Sequence, residues 1–444
     1  MFFKTINIRK GLDLPISGAA EKRVTNMLDT ATYAIKPIDF VGLTPRLLVA
    51  EGDIVSAGDA LFCDKNDERV RFTSPVGGTV KAIVRGEKRR LLEVVVETNG
   101  SQAKPLKKPE NAQDIKEAML QCGLWTMLRQ RPFGTIANPD DEPKAIFVSA
   151  FSSAPLAPDY DFIMQGREDL LKKGLETLAK LTKGKIHICF RPNQKLAERL
   201  QIHVSNIQFH FVKGPHPAGN IGTQIAHIDP INKGDVVWTM NLQDVAVLGE
   251  LVSTGIYNPE KLIAVAGPNV EKPQYYKVKA GVCLKDILYK DNSRVISGNI
   301  LSGNKIEPNG FLGANDDLVS VIPEGKYYDF MGWLMPGIKK FSFSRTFLSG
   351  FLPKLLNWNF DTNTHGDQRP LVFTGDFERV FPFNIYPTQL IKACVISDIE
   401  LMENLGIYEV EPEDFALCEF IDVSKTDIQT IIREALEKLR KEGM

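Results

Sequence analysis

Between Val41 and Glu97 the apolar residues come in short runs broken by turn formers: Gly52-Asp53 and Gly58-Asp59 bracket Ile54-Val55, and Thr73-Ser74-Pro75-Val76-Gly77-Gly78-Thr79-Val80 follows. Gly accepts positive φ and Asp bonds back to nearby amides, so this stretch predicts short strands joined by tight turns. Past the charged linker Lys104 to Glu110 the period changes. Lys144 to Ala150, Lys185 to Phe190, Gln208 to Val212 and Val236 to Thr239 read as strands. Between them, Leu171, Leu175 and Leu178 at i, i+4, i+7 predict a helix over 168–183, and a second is predicted over 244–254. Strand–helix alternation implies a largely parallel, Rossmann-like sheet. From Lys261 turns become dense again, with Gly267, Pro273, Gly281, Gly298 and Gly303 punctuating apolar runs, which suggests a small β-grasp unit. The last sixty residues read as helical. Ser424-Lys-Thr-Asp427 is a capping-box-like start, and Ile428, Ile431, Ile432, Ala435, Leu436 and Leu439 form one apolar stripe that needs a partner surface.

A chain of 444 residues is too long for one ordinary core. The patterns divide it into a multidomain α/β protein: a barrel-sandwich β domain over 1–103, a Rossmann-like α/β domain over 104–258, a β-grasp domain over 259–330, an aromatic and basic connecting segment over 331–375, and a helical domain over 376–444. The formal charge of -1 lacks the cationic field that sequence-independent nucleic-acid binding needs, so nucleic acid is not an expected partner. Met1 to Lys10 lacks an export-signal pattern, and no uncharged apolar run approaches the roughly 18–20 residues needed to cross a bilayer. The six cysteines are scattered without metal-ligand spacing, which predicts free thiols, no disulfides and no iron–sulfur cluster.

Few motifs point to chemistry of the chain's own. Gly214-Pro-His216-Pro-Ala-Gly219-Asn-Ile-Gly222 follows a predicted strand, yet its spacing is not Gly-x-Gly-x-x-Gly, and prolines stand where phosphate-binding N–H groups are wanted. It reads as a structured loop. His216 and His227 lack the spacing and adjacent carboxylate of a zinc helix, so no metal is assigned. There is no phosphate loop and no nucleophile elbow, and no catalytic residue is assigned. From Phe330 to Phe360, Lys339, Lys340, Arg345 and Lys354 meet no carboxylate while Trp333, Phe341, Phe343, Phe347, Phe351 and Trp358 recur. Two readings stand side by side: a docking surface for a partner or anionic headgroups, centred on Trp333, Lys339, Lys340, Phe341, Arg345 and Phe347, or buried aromatics beneath a solvated cationic face.

Gly52, Asp53, Val55, Gly58, Asp59, Leu61, Pro75, Gly78 and Val80 resemble the lipoyl/biotinyl-like barrel-sandwich pattern. In carrier domains of that fold a hairpin lysine holds the prosthetic group; here Lys65 sits near the turn, but the stretch is short and reads as an ordinary polar loop. Over its whole length the chain resembles the A subunit of sodium-translocating NADH:quinone reductases. The resemblance rests on Ile8-Arg-Lys-Gly11-Leu-Asp-Leu-Pro15-Ile, Gly123-Leu-Trp125-Thr-Met-Leu-Arg129-Gln-Arg131-Pro132-Phe133, Gly214-Pro-His216-Pro-Ala-Gly219 and Gly332-Trp333-Leu-Met335-Pro336-Gly337. That family is related to the C subunit of Rnf complexes and to the NADH-binding flavoprotein subunit of respiratory complex I, which implies that 266–303 is a soluble-ligand-binding β-grasp module of their type.

The departures from those relatives matter. Where they carry a glycine-rich flavin loop, this chain has Trp125, Leu128, Arg129, Arg131 and Phe133, so flavin and NADH binding there is expected to be lost. Where Rnf-type proteins place cysteine ligands, only Cys394 and the distant Cys418 remain, too few for a cluster. The resemblance therefore implies a cofactor-free peripheral protein on the cytoplasmic side of the bacterial inner membrane, without a transmembrane helix. Its partners are the other members of a six-subunit complex, B to F, chiefly the membrane-embedded B subunit. Those partners carry FAD, FMN, riboflavin and iron centres, and the complex couples NADH oxidation and ubiquinone or menaquinone reduction to Na+ export. The family segments implicated in quinone contact match 36–43 and 133–138, with Lys36, Asp39, Phe40, Val41, Leu43, Phe133, Thr135 and Ile136 as quinone-proximal candidates. Equally, both segments are read as loops near the interface with the B subunit. The competing readings are a free-standing flavin or iron–sulfur oxidoreductase and a lipoyl-type carrier.

Overall fold

The structure is a computed structural model; it describes residues 4–26, 30–100, 105–200, 202, 204–325, 327, 330–332, 334–338, 340–351 and 357–442. The barrel-sandwich unit packs a four-stranded sheet, ordered Thr32–Ile35, Leu91–Thr98, Gly78–Arg85 and Ile54–Val55, against a three-stranded one, Pro45–Leu47, Ala60–Asp64 and Arg71–Thr73. The turn chemistry is as the residues dictate. Gly52 and Gly58 take positive φ, while Asp53 and Asp59 accept bonds from the amides of Ala50 and Ser56. Phe62 and Phe72 are cross-strand partners stacked at 4.6 Å and fill the space between the sheets. Lys65 lies at the edge of a turn pinned by Arg69, which bonds both Asp67 and Asp140.

The α/β unit carries a seven-stranded sheet ordered Lys4–Asn7, Ile207–Lys213, Lys185–Phe190, Ala145–Ser149, Val237–Thr239, Arg129–Arg131 and Thr135–Ile136. The first five strands are parallel and the last two antiparallel. Helix Ile221–Ile228 covers one face through Ile225, against Phe147 and Val237; helices Glu168–Leu178 and Leu242–Thr254 belong to the main core. The expected helix over 168–183 stops at Leu178. Thr182 donates to the Pro143 carbonyl and accepts from the Gly184 amide, turning the chain into its next strand. The two core helices cross at glycines: a Cβ on Gly174 would lie 1.9 Å from the Val245 carbonyl oxygen, and one on Gly249 would lie 1.9 Å from that of Leu170. Alanine favours a helix over glycine by about 1 kcal/mol, but here its methyl meets backbone. Gly249→Ala is expected to lower stability by roughly 1–3 kcal/mol, the cost of an overpacked core, read as a lower urea midpoint; a raised midpoint would show that the crossing opens freely.

The β-grasp unit has a six-stranded sheet ordered Asn304–Ile306, Ser293–Ser297, Leu318–Pro323, Glu260–Ala266, Gln274–Lys279 and Glu21–Asn26. The sequence pattern assigns the first 26 residues to the barrel sandwich. Instead, Lys4–Asn7 closes an edge of the α/β sheet and Glu21–Asn26 an edge of the β-grasp sheet. Pairing those edges satisfies backbone groups that hydropathy patterns do not report.

The C-terminal unit gathers Phe377–Val380, Pro387–Ile396, Ile399–Asn404, Ala416–Ile421 and Ile428–Glu442 around Phe381, Leu390, Ile391, Phe415 and Leu436. The last helix buries Ile428, Ile432, Ala435, Leu436 and Leu439 as its stripe requires, while Ile431 is half-buried. Its cap is Asp427, which accepts from the Thr430 amide at 3.3 Å, rather than Ser424, whose hydroxyl is taken by the Pro370 carbonyl.

Candidate functional site

The segments 36–43 and 133–138, about a hundred residues apart in sequence, meet. Val41 bridges Thr135 in parallel, so the loop of the barrel sandwich extends the antiparallel end of the α/β sheet. Phe40 turns inward and packs edge-on against Phe72 at 4.7 Å, and Leu43 and Ile136 pack half-buried on the same core. Lys36 and Asp39 face the β-grasp unit: the Lys36 ammonium donates to the Phe311 carbonyl at 2.9 Å, and the Asp39 carboxylate accepts from the Ala314 amide at 3.0 Å. Burial pushes the Asp39 carboxyl up, against the pull of Lys36. These two polar groups are thus already committed to protein. Ile38 between them is 59% exposed, the outward apolar position of this loop. Sequence reading passes over it because an apolar residue in a turn carries no signal until its neighbours are known to point inward.

Phe133 sits at φ 83 after Arg131 and Pro132, its ring against Tyr408 of the C-terminal unit at 6.0 Å and its carbonyl accepting from Arg433 at 2.7 Å. Beneath it, the buried Arg131 makes three ion pairs: Nε to Glu411 at 3.2 Å, Nη2 to Glu413 at 2.9 Å and Nη1 to Asp414 at 3.1 Å. Glu411 and Asp414 also form a capping box. Burial pushes the Glu413 carboxyl up to about 7 against the pull of Arg131, and Asp414 upward as well. Arg440 of the last helix lies over Gly42, where a Cβ would come within 2.9 Å of its guanidinium. All four folded units therefore contribute to one junction. Sequence reading misses the acidic trio; three carboxyls in four positions, Glu411 to Asp414, read as an ordinary solvated turn until a buried arginine is placed beside them.

The strand order reverses between Ala145–Ser149 and Val237–Thr239, the switch point at which open α/β sheets bind ligands. A cavity of about 220 Å³ lies there, lined by Ser149, Tyr160, His216, Asn220, Asn241, Asp317 and Glu413 among others. Among the described residues no Lys or Arg lines it. Trp125 and Leu128 do not enter it; they are core residues, with Trp125 edge-on to Trp238 at 5.5 Å. What narrows this place is the loop 214–220. His216 bonds Ser153 at 3.1 Å, Ser153 accepts from the Gly219 amide at 2.7 Å, and the His216 amide donates to Asp13. Gly11 and Gly214 allow residues 8–13 to lie directly on this loop, since a Cβ on either would meet the other segment's backbone within 2.4 Å. His227 is spent on the Thr223 carbonyl.

All six cysteines are buried free thiols, and burial pushes Cys394 up to about 12 and Cys418 upward too. Among the described residues no group of three His, Cys, Asp or Glu side chains is arranged to hold a metal, and no helix is long and apolar enough to cross a membrane.

In the connecting segment, Phe341 clusters with Trp358, Phe360 and Phe420 at 5.6–5.7 Å, Phe343 lies under Arg379, and Phe347 covers Gly337. Phe330, Leu334, Met335, Ile338, Leu348 and Phe351 are exposed, as is Arg345, and Lys340 donates to the Gly332 carbonyl. The segment thus has both an inward aromatic face and an outward apolar one. Trp333 and Lys339 lie outside the described residues.

Family models for the NqrA N-terminal barrel-sandwich hybrid domain, the NqrA second alpha/beta domain and the NQRA C-terminal domain match residues 6–99, 110–257 and 262–307. The chain is 36% identical over 450 residues to the A subunit of the Na(+)-translocating NADH-quinone reductase of Yersinia pseudotuberculosis serotype I, covering 99% of this chain and 100% of that protein. The corresponding proteins of Histophilus somni strain 2336, at 38%, and Hahella chejuensis, at 37%, align with the same coverage. The chain belongs to the A-subunit family of Na(+)-translocating NADH-quinone reductases. Three of the motifs that carried the resemblance meet the junctions just described. Ile8 to Ile16 and Gly214 to Gly219 interlock around His216, and the Gly123 to Phe133 motif ends at the Arg131 ion pairs. Like these relatives, the chain is one part of an NADH-quinone reductase complex, with no catalysis assigned to it alone.

Proposed function

We propose that this chain is the peripheral protein that docks on the membrane-embedded B subunit from the cytoplasmic side of the inner membrane and forms one wall of the quinone-reduction region without a redox cofactor of its own. The observation that carries this reading is the Val41–Thr135 bridge, which joins the two candidate quinone segments into one surface. Ile38, Val41, Leu43, Phe133 and Ile136 supply its apolar area, and Thr135 its hydroxyl. The cofactor-free reading draws on the switch-point cavity: at about 220 Å³ it is smaller than the roughly 300–1,000 Å³ of ordinary cofactor pockets. Among the described residues that line it there is no Lys or Arg to meet a phosphate. The outward apolar face of 330–351, with Phe330 90% and Phe351 80% exposed, suits contact with a neighbouring protein of the complex. Flavins, iron centres and sodium conduction then belong to the partners B to F.

Phe133→Ala is the test of the wall. It is expected to change the sensitivity of the assembled complex to quinone-site inhibitors several-fold, with the complex's composition unchanged. Inhibition curves superimposable on the wild type would rule out a quinone-facing role for this turn.

A further inference from the structure

The acidic trio on Arg131 lies between two places that the fold keeps apart. On one side Glu413 lines the switch-point cavity, whose other groups include Ser149, Tyr160, His216 and Asp317, and its side chain stays 39% exposed. On the other side Glu411 lies against Gly134, where a Cβ would come within 3.1 Å of its carboxylate, directly under the peptide that joins Phe133 to Thr135. All three nitrogens of one guanidinium are occupied by separate carboxyls at 2.9–3.2 Å, and one oxygen of the buried Asp414 has no partner. Burial pushes both Glu413 and Asp414 toward the protonated form, against the pull of Arg131.

A quinone that accepts two electrons becomes a quinol only by also taking up two protons. We propose that the Glu411–Glu413–Asp414 trio is the proton-loading group of the quinone wall: Glu413 takes a proton from water through the switch-point cavity and the trio releases it, by way of Glu411, toward the quinone reduced beside Phe133 and Thr135. The electrons come from NADH through the complex. In each delivery one carboxyl O–H bond breaks, one quinol O–H bond forms, and the carboxylate left behind is reprotonated from water. Arg131 remains charged and positions the three acids. This inference rests on the reading of the junction as a quinone wall.

The groups facing Glu413 support the direction of its titration. Arg131 and Arg129 lie on the 129–131 strand, Glu411 and Asp414 on its own turn, Arg433 on the last helix faces Glu411, and His216 and Asp317 line the same cavity. Burial outweighs the two arginines and holds the carboxyl protonated up to about pH 7. A donor of this kind is loaded below that pH and empty above it. Quinone-dependent turnover is therefore expected to fall as pH rises through about 7.

The test uses the assembled complex in membranes, comparing NADH oxidation by a water-soluble quinone with NADH oxidation by ferricyanide, which needs no protons at the quinone. Glu413→Gln is expected to slow the quinone reaction about a hundredfold, the low end for losing a positioned acid, and to abolish its pH dependence around 7. The ferricyanide rate and co-purification of the partner proteins should be unchanged, and Glu413→Asp should restore the pH limb. Wild-type rate and pH profile in Glu413→Gln would overturn the proposal. If Phe133→Ala alters inhibitor response in that case, the wall stands and only the proton role falls; if it too is silent, both fall together.

Discussion

Arg131→Met is expected to cost about 3–5 kcal/mol, the usual penalty for stranding buried charges by removing their partner. The side chain is almost wholly buried and each of its nitrogens serves a different carboxyl, so no neighbour replaces it. Asp414 is fully enclosed and already has one unpartnered oxygen; without Arg131 it keeps only the Glu411 amide as a donor. Gly222 allows the helix at 221–228 to approach this cluster so closely that a Cβ there would lie 2.4 Å from Asp414 and 2.5 Å from Arg131. The loss should therefore show first at the seam between the α/β and C-terminal units. Limited proteolysis is expected to release the C-terminal helices from the variant at urea concentrations where the wild type is intact. Lysine is a poor substitute because one point charge cannot face three acids in a plane. A penalty below about 1 kcal/mol for Arg131→Met would mean that the trio is held by something other than this ion pairing.

The second large effect is acid destabilisation between about pH 6.5 and 4. His187, His210 and His216 are buried, and burial holds all three down to about 4, with His210 further lowering His187. His187 and His210 bond each other at 2.9 Å on adjacent strands, so one ring must donate and the other accept, and the two cannot both be charged without losing that bond. Their folded values lie below the unfolded value of 6.5, so the unfolded chain binds more protons in this window. Stability from these groups is present above 6.5 and is lost as pH falls toward 4. A depression of that size corresponds to roughly 3 kcal/mol for each histidine. Glu413 acts in the opposite sense, because its raised value makes the folded state bind the extra proton between about 4.5 and 7. Asp39 and Asp414, also raised by burial, act in the same sense as Glu413, and the three buried histidines are expected to outweigh them. The urea midpoint is expected to drop between pH 7 and pH 5, and replacing His187 and His210 together by Leu should remove most of that slope. An equal slope in the double variant would place the acid sensitivity elsewhere.

Much of the fold is legible in the sequence because periodicity and turn chemistry are local. The Gly-Asp turns, the parallel-strand segments and the apolar stripe of the last helix follow from residues within a few positions of each other, and each element stands where these put it. Where a longer-range partner intervenes, the reading slips. Ser424 looks like a cap but is drawn away by Pro370, 54 residues distant in sequence; the 168–183 helix ends early because Thr182 is held by Pro143.

The candidate site divides in the same way. Its two loops are found through their resemblance to a family, and the residue types alone suggest apolar walls with a few polar groups. That Lys36 and Asp39 face Phe311 and Ala314, that Val41 pairs with Thr135, and that Ile38 is the outward residue depend on how four units pack. Taken alone, the sequence determined the kinds of domain, the absence of a long apolar span and the resemblance to a redox family. Tertiary structure decided the acidic trio on Arg131, the narrowed switch-point cavity and the fate of each charged side chain. The physical reason is range: backbone propensity acts over a few residues, whereas desolvation and ion pairing are set by whatever the folded chain brings within about 4 Å.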